Sequence, residues 1–213
     1  MTPLKSRIRV LQYMSGDFEY FHWSEKINRA YCDRHGYKYV ISRETPRTDR
    51  HVCWQKIASV IPALHDCDYL LVVDADAHFY SHELTIETEL LPLMKDKSIL
   101  MSADIGSETE RWGPEKPNAG VILTKNNPQT LEFFRAWDQA SDVDESYRWQ
   151  WPPDQRALWD VVLPKYPELV MTHPDYYMIH GRYGQYIRHY FLSSDEERTE
   201  KMKRFCQSRN GEP

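Results

Sequence analysis

The sequence predicts an open α/β domain, a mostly parallel, twisted sheet flanked by helices. Three observations carry that expectation. Apolar segments of strand length alternate with longer segments of helical period. One of them, Tyr69-Leu70-Leu71-Val72-Val73, is apolar without alternation, as a strand covered on both faces must be. The length of 213 residues allows one domain with a sizeable core, and not comfortably two.

Taken in order, Ile8 to Tyr13 reads as the first strand, with Met14-Ser15-Gly16-Asp17 as the turn after it. A helical pattern runs from Phe18 to Arg34, with Phe21, Ile27 and Tyr31 on one face and Gly36 as its stop. Lys38 to Ile41 is a short second strand, and the polar, arginine-rich stretch Ser42 to Arg50 a loop. Val52 to Leu64 is helical, with a bend expected at Pro62. After the apolar strand, further strands are expected at Ser98–Ala103 and Gly120–Thr124, and helices at Pro128–Ala140 and Asp154–Leu163. The domain is expected to span residues 1–192. The charged remainder, 193–213, has little apolar periodicity and reads as a solvated helix or a linker.

Composition narrows the partners. A net charge of −5 argues against a nucleic-acid-binding surface, which would show a basic excess. The four cysteines, Cys32, Cys53, Cys67 and Cys206, form no CxxC pair and are expected to be reduced thiols. Met1 to Arg9 lacks an apolar core, so no signal peptide is read. The longest apolar runs fall far below a membrane span. A cytoplasmic enzyme or an excised catalytic domain is the expectation.

The strongest chemical signal is Leu70-Leu71-Val72-Val73-Asp74-Ala75-Asp76-Ala77-His78-Phe79. Residues two apart in extended chain point the same way, so Asp74 and Asp76 aim both carboxylates from the carboxyl end of a buried strand. Ligands of open α/β sheets bind at that end. Two convergent carboxylates repel unless a cation lies between them. Mg²⁺ or Mn²⁺ serves, and leaves coordination positions for diphosphate oxygens. Solvated turn aspartates are the plain alternative. Among the histidines, His180, His173 and His78 are candidates for a third ligand. Asn118-Ala119-Gly120 sets an amide and two small residues at a strand's mouth, permitting close approach to a ligand. Asp154 is a good helix cap, so its position before Gln155 also has a purely structural explanation. Tyr13, Ser15 and Asp17, at the end of the first strand, are placed to meet a nucleotide base. Arg182, Tyr183 and Arg188 form a basic-aromatic segment suited to phosphate.

The pattern hhhhDxDxhF resembles the DxD signature of GT-A glycosyltransferases. Trp54-Gln55-Lys56-Ile57 upstream, Asn118-Ala119-Gly120-Val121 downstream, Asp154-Gln155-Arg156-Ala157-Leu158 and His180-Gly181 follow in the same order as in fungal Golgi galactosyl- and mannosyltransferases and plant xyloglucan xylosyltransferases. The likeness spans roughly Ile8 to His189. It implies a GT-A, Rossmann-like nucleotide-sugar-binding fold and a metal-dependent transfer from a UDP-sugar or similar donor to a hydroxyl of a glycan or glycoprotein acceptor, with retention. It implies Asp74, Asp76 and His180 as metal ligands. It places Asn118, Asp154 and Gln155 at the reaction centre, with Tyr13, Ser15, Asp17, Lys56, Ala75, Ala119, Gly120 and Arg182 around the donor. In an inverting enzyme, Asp104 or Asp154 would be the base. In this chain Gly181 directly follows His180, a departure from the pattern.

Two other classes compete. A sugar-nucleotide pyrophosphorylase needs a glycine-rich phosphate loop after the first strand, where Met14-Ser15-Gly16-Asp17 has one glycine. A non-catalytic nucleotide- or carbohydrate-binding module would turn over no donor.

Overall fold

A computed structural model describes residues 7–104, 116–174 and 181–210. Its main sheet has six strands: β1 (Ile8–Tyr13), β2 (Lys38–Ser42), β3 (Tyr69–Val73), β5 (Ile99–Ala103), β6 (Pro117–Lys125) and β7 (Val170–His173), in the order β2-β1-β3-β6-β5-β7. The pairs β1–β2, β1–β3 and β5–β7 are parallel, whereas β6 runs antiparallel to both its neighbours. A separate two-stranded ribbon joins β4 (Ala77–Phe79) to β8 (Ile187–His189).

The helices cover both faces. On one, α2 (Trp54–Leu64), α4 (Pro128–Ala140) and α6 (Pro153–Ala157) bring Trp54, Ile57, Phe133, Phe134 and Trp137 onto Leu70 and Val72. On the other, Tyr31 of α1 (Glu19–His35) and Ile86 of the short α3 (Ile86–Glu89) meet Leu71 and Val73. Alternate residues of β3 thus enter opposite clusters and all four are wholly buried, as the unalternating run requires. Each contributes roughly 1.5–3 kcal/mol by burial.

Local chemistry sets the boundaries. α1 stops at Gly36, whose φ of 74° is left-handed and whose neighbour Tyr37 donates its N–H back to the Cys32 carbonyl. Asn127 caps α4 by accepting from the Thr130 N–H, with Pro128 in the first turn. α2 runs through Pro62 and ends two residues later. The helix expected over Asp154–Leu163 is α6 continued by a π-helical segment, Leu158–Val162, and a short 3-10 turn, Leu163–Lys165. A one-turn helix, α5 (Ser146–Trp149), precedes it.

The charged C-terminal segment, expected as a solvated helix or linker, is the helix α7 (Asp195–Asn210). It is not wholly solvated. Met202 and Cys206 join Tyr20, Phe21 and Ile27 of α1 in a third apolar cluster. None of the four cysteines forms a disulfide. No helix among the described residues is long and apolar enough to cross a membrane.

Candidate metal and donor site

The site lies where β3 ends. Because β6 is antiparallel to β3, its first residues, Asn118 to Gly120, lie beside the last residues of β3, and the Asp74 N–H donates to the Gly120 carbonyl at 2.8 Å. Asp74, Ala75 and Asp76 then turn directly into β4. In the ribbon, Ala77 stands opposite His189, and Tyr190 donates its N–H to the Asp76 carbonyl at 3.0 Å. A histidine 113 residues away from Asp76 (189 − 76) is thereby held against it.

Asp74, Asp76 and His189 converge, with one ligand atom from each lying within 4.8 Å of the others. His189 Nε2 is 3.0 Å from Asp76 Oδ1 and 3.6 Å from Asp74 Oδ2. Adjacent ligands of an octahedral ion bound at about 2.0–2.1 Å stand about 3 Å apart, so two hard carboxylate oxygens and an imidazole nitrogen at this spacing fit Mg²⁺ or Mn²⁺. Burial opposes ionisation of Asp76, but His189 and Arg198 outweigh it and hold this carboxyl at about 2. At Asp74 burial dominates and pushes the carboxyl upward against Lys56 and His189. Burial lowers the His189 imidazole, yet the two aspartates hold it above its ordinary value.

Gly120 makes room for this histidine. A Cβ there would lie 2.2 Å from His189 Cε1, closer than real atoms approach, and nearest to a ring already fixed by the ribbon. The close approach expected at Gly120 therefore admits a protein side chain.

Beneath the turn lies a buried polar layer that the sequence did not disclose. Gln12 Nε2 donates to the Asp74 carbonyl at 2.8 Å, Asn28 Nδ2 donates to the Ala77 carbonyl at 3.0 Å, and Asn28 Oδ1 accepts from the Phe79 N–H at 3.0 Å. These contacts fix both ends of the Asp-x-Asp turn. The one hint in the sequence is that Gln12 and Asn28 are polar positions inside otherwise apolar faces.

A second cluster adjoins the first. Asp104 Oδ2 accepts from Asn118 Nδ2 at 2.9 Å and from Gln155 Nε2 at 2.7 Å. Gln155 Oε1 accepts from the Ala119 N–H at 2.7 Å, and Asn118 Oδ1 from the Gly120 N–H at 2.7 Å. Asp154 is buried at the start of α6. Its side chain makes no cap, since that helix has Pro152 at its cap position. Lys56 ties the clusters together: its Nζ is 2.7 Å from Asp74 Oδ1, 2.8 Å from the Ala119 carbonyl and 3.7 Å from Asp154 Oδ2. Burial disfavours its charge, and Asp74 and Asp154 together raise it above the ordinary lysine value.

The other expected residues are distributed as follows. Tyr13 is buried at the end of β1, one position past the Gln12–Val73 pairing, where burial raises its hydroxyl; Ser15 is half-buried and Asp17 exposed in the following turn. Trp54 is core, its indole donating to the Tyr147 carbonyl. His78 is wholly buried, with Nδ1 near the Phe79 carbonyl and Nε2 near the Tyr190 hydroxyl, and His173 ends the edge strand β7. Neither belongs to the convergent cluster. Arg182 reaches the Phe191 carbonyl, and Arg188 stacks on Tyr80, one residue from His189 and so on the other face of β8. Tyr183 is exposed. His180 lies outside the described residues; among those described, His189 supplies the imidazole.

Comparison with known proteins agrees with this architecture. A glycosyltransferase involved in the glycosylation of the major capsid of PBCV-1 superposes with a TM-score of 0.75 at 17% identity, over 92% of this chain and 98% of that one. At that identity the likeness speaks to the fold. The glycosyltransferase GlyE of Streptococcus pneumoniae TIGR4 matches at a TM-score of 0.48 and 14% identity, over 82% of this chain and 46% of its own. No curated protein sequence matches significantly. Residues 7–116, just over half of the chain and including β1 to β5 with the Asp-x-Asp turn, match the galactosyl transferase GMA12/MNN10 family. The chain therefore belongs to the galactosyl transferase GMA12/MNN10 family of glycosyltransferases.

Proposed function

We propose that this glycosyltransferase moves a sugar from a UDP-linked or similar nucleoside diphosphate donor to a hydroxyl of a glycan or glycoprotein acceptor, with a divalent cation and with retention at the anomeric carbon. The observation that carries the reading is the convergence of Asp74 Oδ2, Asp76 Oδ1 and His189 Nε2 at the carboxyl end of β3.

Asp74, Asp76 and His189 would hold Mn²⁺ or Mg²⁺, which when bound supplies Lewis-acid stabilisation of the charge that develops on the departing diphosphate. Lys56 keeps one oxygen of Asp74 occupied and links that carboxylate to Asp154. Tyr13, Ser15 and Asp17, with Ala75, flank the place for the base. Asn118 and Gln155 are spent on Asp104 and on the backbone of Ala119 and Gly120, so their work is to shape the sugar-facing wall and to orient Asp104 and the peptide at Ala119. Asp154, buried and ionically paired with Lys56, places fixed negative charge beside the reaction centre, suited to an electron-poor anomeric carbon. The retaining outcome rests on family resemblance; the departing diphosphate then takes the acceptor's proton and no dedicated base is needed.

The test is donor hydrolysis or transfer with and without Mn²⁺. Asp76→Asn is expected to remove the metal-dependent rate, a loss on the order of 100-fold or more, given that a positioned electrostatic group typically carries that much. Full metal-stimulated activity in that variant removes the assignment. NMR of the product's anomeric centre decides the stereochemistry, and an inverted linkage rejects retention.

A further inference from the structure

We propose that Arg198, on the C-terminal helix, is a positioning residue of the metal–donor site whose fixed charge favours the diphosphate over the bare cation. This rests on the metal-site reading above.

Each carboxylate of the Asp-x-Asp pair has its two oxygens in different surroundings. On Asp74, Oδ1 is held by Lys56 Nζ at 2.7 Å, while Oδ2 faces His189. On Asp76, Oδ2 is held by Arg198 Nη2 at 3.0 Å, while Oδ1 faces His189. The outer oxygens are therefore clamped by cationic side chains and the inner ones are aimed at a common point. A carboxylate held in this way meets an ion through one oxygen, which leaves more of the coordination shell for a substrate.

Arg198 is built into this position. Its Nη1 pairs with Asp195 at 2.8 Å, its Nε donates to the Tyr190 carbonyl at 3.3 Å, and its guanidinium lies 5.4 Å from the Tyr20 ring centre. Tyr190 directly follows the ligand His189, so one arginine braces both Asp76 and the chain that carries the imidazole. Its side chain is only 20% exposed, and α7 is seated on α1 through Met202 and Cys206.

The charge has a consequence with a definite sign. A fixed cation beside the pair repels the divalent ion and attracts the diphosphate, so its removal leaves affinity for the ion the same or higher while it lowers affinity for the diphosphate. A brace that acted only through shape would favour the ion, so its loss would weaken binding of Mn²⁺ alone.

The experiment measures Mn²⁺ binding by titration calorimetry and by the EPR signal of free Mn²⁺, with and without UDP, in the wild type, Arg198→Gln, Arg198→Lys, Arg204→Gln and Asp76→Asn. The readouts are the affinity for Mn²⁺ alone and the affinity of the Mn²⁺-saturated protein for UDP. In Arg198→Gln the UDP affinity is expected to fall at least about tenfold, the effect of one unit charge about 12 Å away at an effective dielectric of about 20, while binding of Mn²⁺ alone stays the same or tightens. Arg198→Lys keeps the charge and most of the UDP affinity. Arg204→Gln, on the exposed side of the same helix, behaves as wild type. An unchanged UDP affinity in Arg198→Gln, an equal fall in Arg204→Gln, or loss of Mn²⁺ binding in Arg198→Gln as complete as in Asp76→Asn overturns the proposal while leaving the metal site standing. A wild-type protein that binds no Mn²⁺ with or without UDP overturns both.

Discussion

The two clusters at the end of β3 are built on opposite principles. In the ionic cluster, Asp74 and Asp76 point inner oxygens at one imidazole, an arrangement whose like charges gain most from an added cation. In the amide cluster, Asp104, Asn118, Gln155 and the peptide N–H groups of Ala119 and Gly120 satisfy one another with four short hydrogen bonds. The first is poised for a ligand, and the second is finished architecture. The difference teaches where damage should appear: loss in the ionic cluster should be felt in binding, and loss in the amide cluster in stability.

Gly120 stands between them and gives the largest expected effect. Its N–H serves Asn118, its carbonyl serves Asp74, and its Cα lies under His189. Gly120→Ala must displace the imidazole, at a cost of about 1–3 kcal/mol typical of overpacking, and should abolish Mn²⁺·UDP binding as well. Calorimetric titration and thermal melts read the two losses; a variant that keeps wild-type metal affinity would show that His189 is not a ligand.

Gln155→Ala separates the clusters. It leaves the Ala119 N–H and one approach to Asp104 without a partner in a buried setting, which costs about 1–3 kcal/mol, or a Tm drop of roughly 3–10 °C for a chain of this size. Mn²⁺·UDP affinity should stay within a few-fold. Asp76→Asn should do the reverse, changing Tm by less than Gln155→Ala does. Equal melting losses in the two variants would erase the distinction.

The smallest effect concerns the ribbon that delivers His189. Burial pushes His78 down to about 3 and His82, four residues on, to about 4. Both titrate near about 6.5 when unfolded, so below that pH the unfolded chain holds more protons than the folded one. Their contribution is whole above about pH 6.5 and shrinks as pH falls towards about 4. His78→Gln should make the decline of Tm over that window shallower. A decline as steep as in the wild type would mean that His78 gains its proton without unfolding.

Much of this was legible in the sequence, for reasons that differ residue by residue. β3 announced itself because burial on both faces removes alternation, and the paired aspartates because two carboxylates on one short turn are a local pattern. β4, β7 and β8 did not, since three or four residues carry no period. The reversed direction of β6 is likewise a property of the whole sheet, with no signature in its own residues. His189 matters only because β8 pairs with β4, so spacing along the chain could not single it out. Arg198 lay in a segment whose charge suggested solvent; one turn of helix brought it onto Asp76. Asn118 and Gln155 stood out in the sequence, but that their amides are spent on Asp104 depends on β5 pairing with β6 and on α6 docking against β6.

The reversed course of β6 has one more consequence. Gly120 touches the ionic cluster and Asn118 and Ala119 the amide cluster, so a single stretch of backbone measures the gap between the two clusters. Consecutive Cα atoms are about 3.8 Å apart, and no change of rotamer can stretch that ruler. On the proposed reading of the site, sugars of different bulk would be accommodated by the walls around it, while the spacing of the two clusters stays constant.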